Sequence, residues 1–142
     1  MVAIDVICDA SVVLKWFHAE GEDEVEAARG LLDLHRGRAA ALSVLDLTAY
    51  EIGNVLVRRL RMKRAHADAV LDALAEICPR LAATPAELAS ALTLAAEHDL
   101  TMYDASYAAV AAARHAHLAT LDRALIDAGL GRRPSEIVRN VT

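Results

Sequence analysis

A short apolar run that ends on a carboxylate constrains this chain more than any other stretch. Val2, Ile4, Val6 and Ile7 are β-branched and suit a buried strand, and Asp9 falls where that strand would leave the core. Ser11 follows, and residues 12–17 are apolar enough to be a short helix packed on a sheet. The same order recurs near the other end, where the apolar residues 117–121 lead to Asp122 and residues 123–126 read as a helix. Strands that deliver an acid to the start of a helix belong to open parallel sheets, whose ligands bind beyond the carboxyl ends of the strands. Taken alone, Asp9 reads equally well as the N-cap of the helix after it.

Between these two units helix formers dominate. Residues 19–23 form an acidic turn, and residues 24–36 carry Val25, Ala28, Leu31, Leu32 and Leu34 on an approximate helical face that Gly37 ends. Residues 39–44 are short and apolar, a second strand, before a long helix reaching to about residue 61. Residues 66–77 are amphipathic, Pro79 ends them, and residues 80–83 suit a third strand. Thr84, Pro85 and Glu87 form a strong helix start, with an N-cap, a proline at the first position and a reciprocal acid. An alanine-rich helix runs from residue 102 to about 114, and Gly129, Gly131 and Pro134 mark an exit loop before a final edge strand over residues 136–139. The alternation predicts an α/β fold, one domain over residues 1–142, with a parallel sheet of about five short strands covered by helices on both faces.

Composition removes several classes. The chain is 56% apolar over 142 residues, which argues against disorder. No apolar run approaches the ~18 residues of a membrane span. The N-terminal run lacks a basic flank and a cleavage site, so the reading is cytoplasmic, without a membrane partner. Cys8 and Cys78 sit in apolar surroundings and read as buried free thiols. The six histidines form no zinc-binding pattern. Net charge is −5, yet Arg58, Arg59, Arg61, Lys63 and Arg64 place five bases within seven residues. That cluster suits a phosphate-binding edge or the solvated end of a helix.

Two further acids matter. Glu51 lies among Leu47, Ile52 and Val55 and shares a helix face with Asn54, while Asp104 falls in the first turn of its helix. Asp46 reads as a cap or first-turn acid. Asp9, Glu51, Asp104 and Asp122 could all converge on the edge where the strands end. At ~5 Å and an effective dielectric of ~20, each close pair repels by about 3 kcal/mol, a large share of a domain's stability. A shared proton or a divalent cation must relieve that repulsion. Oxygen donors without His or Cys favour Mg²⁺ or Mn²⁺, and such a site suits phosphoryl chemistry. No GxSxG elbow, Walker loop or GxGxxG occurs to support a serine hydrolase or a nucleotide site.

These residues resemble a known family. Residues 6–17, 50–56, 100–107 and 118–122 look like the four acidic motifs of PIN domains, most similar in order and spacing to VapC toxins, the ribonucleases of bacterial toxin–antitoxin pairs. The resemblance implies a three-layer α/β/α sandwich and an endoribonuclease using Mg²⁺ or Mn²⁺. By carry-over Asp9, Glu51, Asp104 and Asp122 are the catalytic, metal-binding acids, and Ser11 and Thr120 the polar residues that orient ligands or water beside them; Asn54, on the face of Glu51, reads either as another such residue or as a structural hydrogen bond. It further implies a homodimer and a small VapB-like antitoxin that blocks the site. The bases from Arg58 to Arg64 would carry part of the RNA contact. Asp99 and Asp127 read as a turn residue and a solvated helix residue. Two other readings stand beside this one. One is a non-catalytic domain whose acidic pocket receives a basic partner. The other is a receiver or phosphatase with Asp9 as a covalent nucleophile, which Ile7, Cys8 and Ser11 fit poorly.

Overall fold

The computed structural model describes residues 2–19, 21 and 23–141, so Glu20 and Glu22 of the expected acidic turn lie outside the described residues. Four strands, β1 (Ile4–Cys8), β2 (Ala40–Leu45), β3 (Arg80–Leu81) and β4 (His117–Ala119), form one sheet in the order β3-β2-β1-β4. Every pairing is parallel, with Val6 opposite Leu42 on one side and Ile7 opposite Leu118 on the other. Parallel neighbours need crossover connections, and helices supply them. Among the described residues the α-helices are α1 (Ala10–Phe17), α2 (Val25–Arg36), α3 (Asp46–Asn54), α4 (Arg64–Ile77), α5 (Pro85–His98), α6 (Met102–Ala113), α7 (Arg123–Asp127) and α8 (Pro134–Val141).

The strand pleat sorts side chains onto two cores. Val6, Cys8, Leu42 and Val44 face one way, against Val12 and Val13 of α1, Leu31 of α2, Ile52 of α3 and Ile137 of α8. Ile7, Leu45 and Leu118 face the other way, against Tyr107, Val110 and Ala111 of α6 and Leu125 of α7. Each fully buried large apolar side chain contributes roughly 1.5–3 kcal/mol, and the two faces make the three layers. The alanines of α6 permit its close seat on the sheet. Trp16 ties α1 to α2 by donating its indole N–H to the Ala28 carbonyl at 2.9 Å. Both cysteines are free and buried, and no helix of the described residues is long and apolar enough to cross a membrane.

Two sequence expectations need correction. Residues 136–139 are not an edge strand: they lie inside α8. Pro134 suits a first helical turn, the buried Pro134 and Ile137 stand at helical spacing, Ile137 joins the core cluster that holds Leu31 of α2, and Ser135 N–H donates to Glu24 Oε1 at 2.9 Å. What remains of a fifth strand is a single parallel bridge, Ala119 to Arg132. The long helix expected to open at residues 45–51 and run to about residue 61 also differs. Its regular part ends at Asn54 and continues as a wide π-helical turn, Val55–Arg59, closed by Leu60 N–H donating to the Val55 carbonyl at 2.9 Å.

Candidate active site

β1 and β4 are neighbours, so their ends deliver Asp9 and Asp122 to the same edge. Asp9 is both the N-cap of α1 and a site residue. Its Oδ1 accepts from Val12 N–H at 3.3 Å and from Ser11 Oγ at 2.5 Å, and its Oδ2 accepts from Thr120 Oγ1. Ser11 Oγ in turn accepts from Leu121 N–H at 2.9 Å, and Thr120 Oγ1 accepts from Asp122 N–H at 3.0 Å. These two hydroxyls stitch the end of β4 to the start of α1 around one carboxylate. Gly131 makes room for this, because a Cβ there would stand 2.5 Å from the Thr120 methyl. Asp9 is only 4% exposed with both oxygens engaged, which is a poor setting for a covalent nucleophile.

Asp122 caps α7, accepting at Oδ1 from Ala124 N–H at 2.8 Å and Leu125 N–H at 3.3 Å. Asp104 lies in the first turn of α6, where Thr101 is the cap and Asp104 N–H donates to Thr101 Oγ1 at 3.1 Å. Glu51 reaches in from α3 and accepts from Tyr107 Oη at 2.7 Å. Asp46 takes the first turn of α3, as expected. Asp99 adopts the left-handed turn conformation after α5, and Asp127 is exposed at the end of α7, so neither joins the site.

The acids feel one another. Burial pushes Asp9 up to about 6, against hydrogen bonds from Ser11, Thr120 and Val12 that favour its charged form, and the charge of Asp104 adds to the push. Glu51 is raised by burial, opposed by the Tyr107 hydrogen bond, and raised further by the charges of Asp9 and Asp104. Asp104 is raised by burial, by the charge of Asp122 and by a side-chain hydrogen bond with it. Clustered carboxylates call for a shared proton or a cation, and the raised proton affinities of Asp9, Glu51 and Asp104 agree with that need.

Whether a cation fits is a matter of donor chemistry and spacing. The four donors are hard carboxylate oxygens. Among the described residues no three His, Cys, Asp or Glu side chains come close enough to cage an ion. The donor chemistry is that of Mg²⁺ or Mn²⁺, and Mg²⁺ is usually held by one or two carboxylates while keeping several waters.

Beside the acids opens a groove of about 610 Å³, lined by Ser11, Lys15, His18, Glu51, Asn54 and Arg59 among others. Asn54 thus shares the groove with Glu51, without a hydrogen bond between them among the described residues. The basic cluster is split. Arg59 lines the groove, whereas Arg58, Arg61, Lys63 and Arg64 are exposed elsewhere, and Arg64 pairs with Asp68 at 3.5 Å. Lys15 and His18 were not singled out from sequence, although Lys15 stands one helical turn after Ser11. Tyr107 was also missed. Its signal is a tyrosine among alanines, three residues after Asp104 and so on the same face of α6.

The PIN domain family model matches residues 6–130. Ribonuclease VapC3 of Pyrobaculum aerophilum is 35% identical over 127 residues, covering 86% of this chain and 92% of that protein. The crystal structure of PAE2754 from Pyrobaculum aerophilum is similar with a TM-score of 0.72 at 27% identity, over 97% of this chain and 95% of that one. A toxin–antitoxin complex from Klebsiella pneumoniae contains a chain with a TM-score of 0.66 at 15% identity, over 91% of this chain and 97% of that one, a likeness of fold.

Proposed function

Because this chain belongs to the PIN domain family, we propose that it is an endoribonuclease that requires Mg²⁺ or Mn²⁺ and serves as the toxin of a toxin–antitoxin pair. One observation carries the reading: two strand ends, the first turn of α6 and the middle of α3 bring Asp9, Asp122, Asp104 and Glu51 together, and burial and like charge raise the proton affinities of Asp9, Glu51 and Asp104. Of Asp9, Glu51, Asp104 and Asp122, one or two would hold the cation directly and the others through its waters. When bound, it supplies activation of water and stabilisation of charge on a phosphodiester. The chain's own residues prepare the place. Ser11 and Thr120 fix both oxygens of Asp9, the α7 amides hold one oxygen of Asp122, and Tyr107 holds one oxygen of Glu51. The groove admits an RNA backbone beside them, with Arg59 at its wall and Arg58, Arg61, Lys63 and Arg64 as outer contacts. Asn54 orients substrate or water there.

The partners follow from the same kinship. The relative's name and the complex from Klebsiella pneumoniae support an antitoxin partner of VapB type. Leu88 and Leu92 are exposed one turn apart on α5, and Tyr50, Val57 and Tyr103 are exposed on other elements; exposed apolar side chains of this size support a protein partner, the antitoxin or a second copy of the chain. The activity belongs in the cytoplasm, where RNA is met. The test is direct. Purified protein and its Asp104→Asn variant are incubated with total bacterial RNA in Mg²⁺, Mn²⁺ or EDTA, and new 5′ ends are mapped. Discrete, metal-dependent cuts from the unsubstituted protein alone are expected. A folded protein that binds no metal and cuts nothing would overturn the mechanism.

A further inference from the structure

Three polar side chains behind the site form a chain with one direction. Leu45 N–H can only donate, and it donates to Thr48 Oγ1 at 3.2 Å. The Glu51 carboxylate can only accept, and it accepts from Tyr107 Oη at 2.7 Å. Tyr107 has one proton, and that bond uses it. The 2.6 Å contact between Thr48 Oγ1 and Tyr107 Oη is therefore made with the threonine's proton. The sequence of donors runs from the end of β2 through Thr48 and Tyr107 to Glu51. Thr48 is fully buried and Tyr107 is 1% exposed, so water does not compete and each link polarises the next.

A buried tyrosine hydroxyl needs some partner for ordinary packing reasons. A backbone carbonyl would meet that need; here the proton is aimed at a half-buried acid that lines the groove. Tyr107 also shares its helix face with Asp104, so the bond sets an acid of α3 against an acid of α6. We infer that Thr48 and Tyr107 are positioning residues, which hold Glu51 Oε1 from behind and leave Oε2 for the divalent cation. This inference rests on the metal-site reading above.

The test compares the unsubstituted protein with Tyr107→Phe, Thr48→Val and Thr48→Ser. Mn²⁺ binding is measured by calorimetry and by the electron spin resonance of free Mn²⁺, with melting curves in EDTA and RNA cleavage kinetics alongside. Tyr107→Phe should weaken Mn²⁺ binding about tenfold and lower kcat with little change in KM, as loss of a ligand-orienting partner does. Thr48→Ser, which keeps the hydroxyl, should restore most of what Thr48→Val loses. Thr48→Val also removes the bond to Leu45, so it can fail to fold; Tyr107→Phe leaves that bond in place and decides the matter. A Tyr107→Phe protein that melts lower yet binds Mn²⁺ as tightly as before would overturn the inference and leave the nuclease reading standing. An unsubstituted protein that binds no Mn²⁺ would overturn both.

Discussion

The two ends of α6 treat a carboxylate in opposite ways. At the first turn, Asp104 faces Asp122, Asp9 and Glu51, and burial and like charge raise its proton affinity. At the last turn, Arg114 grips Glu87 at two points, Nε to Oε2 and Nη2 to Oε1, both at 3.1 Å, and also donates to the Ala82 carbonyl at 2.9 Å. Those bonds, with the Thr84 amide, hold Glu87 down to about 2. Glu87 completes the capping box of α5, so this end fastens α5 to α6. A cation from the chain's own sequence closes one end, while at the other end the acids stand together, as the proposed metal site requires. A cluster that works against the fold is what a binding site leaves behind, since sites break local rules that the rest of the chain obeys.

The sharpest contrast comes from substituting each end. Asp104→Asn removes a charge from the repelling cluster, so RNA cleavage should fall by more than ~100-fold while the melting temperature in EDTA at neutral pH holds or rises. A variant that loses activity only because it melts lower would break the comparison. The pH dependence of stability gives the next largest effect. Asp9 rises from its usual 3.8 to about 6 on folding, so the native state binds the proton more tightly. Its contribution is full below about 3.8 and is lost as pH rises through about 6, on the order of 3 kcal/mol. Glu51 and Asp104 act in the same direction. Glu87 acts in reverse, its contribution present above 4.5 and lost as pH falls toward 2. Urea midpoints in EDTA should therefore decline from about pH 4 to pH 7, and Mg²⁺ should restore them at pH 7. A flat profile would show that the acids do not share a field.

Arg114→Ala should cost about 1–3 kcal/mol, because it leaves Glu87 buried with its strongest partner gone. Specific cleavage by the folded fraction should not change. Urea denaturation and single-turnover cleavage separate the two, and lost cleavage at full folding would mean that the anchor reaches the site.

Much of this was legible in the sequence because it was local. Asp9 and Asp122 follow β-branched or apolar runs and cap the next helices, and Thr84, Pro85 and Glu87 announce a helix start that the structure builds in full. The four acids could be expected on one edge because a parallel sheet puts its strand ends there. What escaped is non-local or sits in the backbone. The bond from Tyr107 to Glu51 spans 56 positions, and no periodicity reports it. Residues 136–139 have strand-like composition, but helix α8 forms because Ile137 and the Ser135 amide find partners on and beside α2.

The π-helical turn after Asn54 spreads the basic cluster over more than one direction. A regular helix would carry Val55 to Arg64 at a constant angle, and all five bases would then fall on a readable set of faces. The wide turn shifts that angle, Arg61 takes a positive φ of 51°, and a new helix starts at Arg64. Arg59 is left at the groove wall and Arg64 beside Asp68. The smallest expected effect follows from that split. Arg59→Gln should lower the salt slope of RNA binding by about 0.7, the value for one phosphate contact on a single strand. Arg64→Gln, outside the lining of that groove, should change the slope by less. Binding isotherms of inactive Asp104→Asn protein on a single-stranded RNA, taken over a range of KCl, measure both. Equal losses would mean that the cluster acts as one diffuse field, and the groove beside Glu51 would then have no special claim on the RNA backbone.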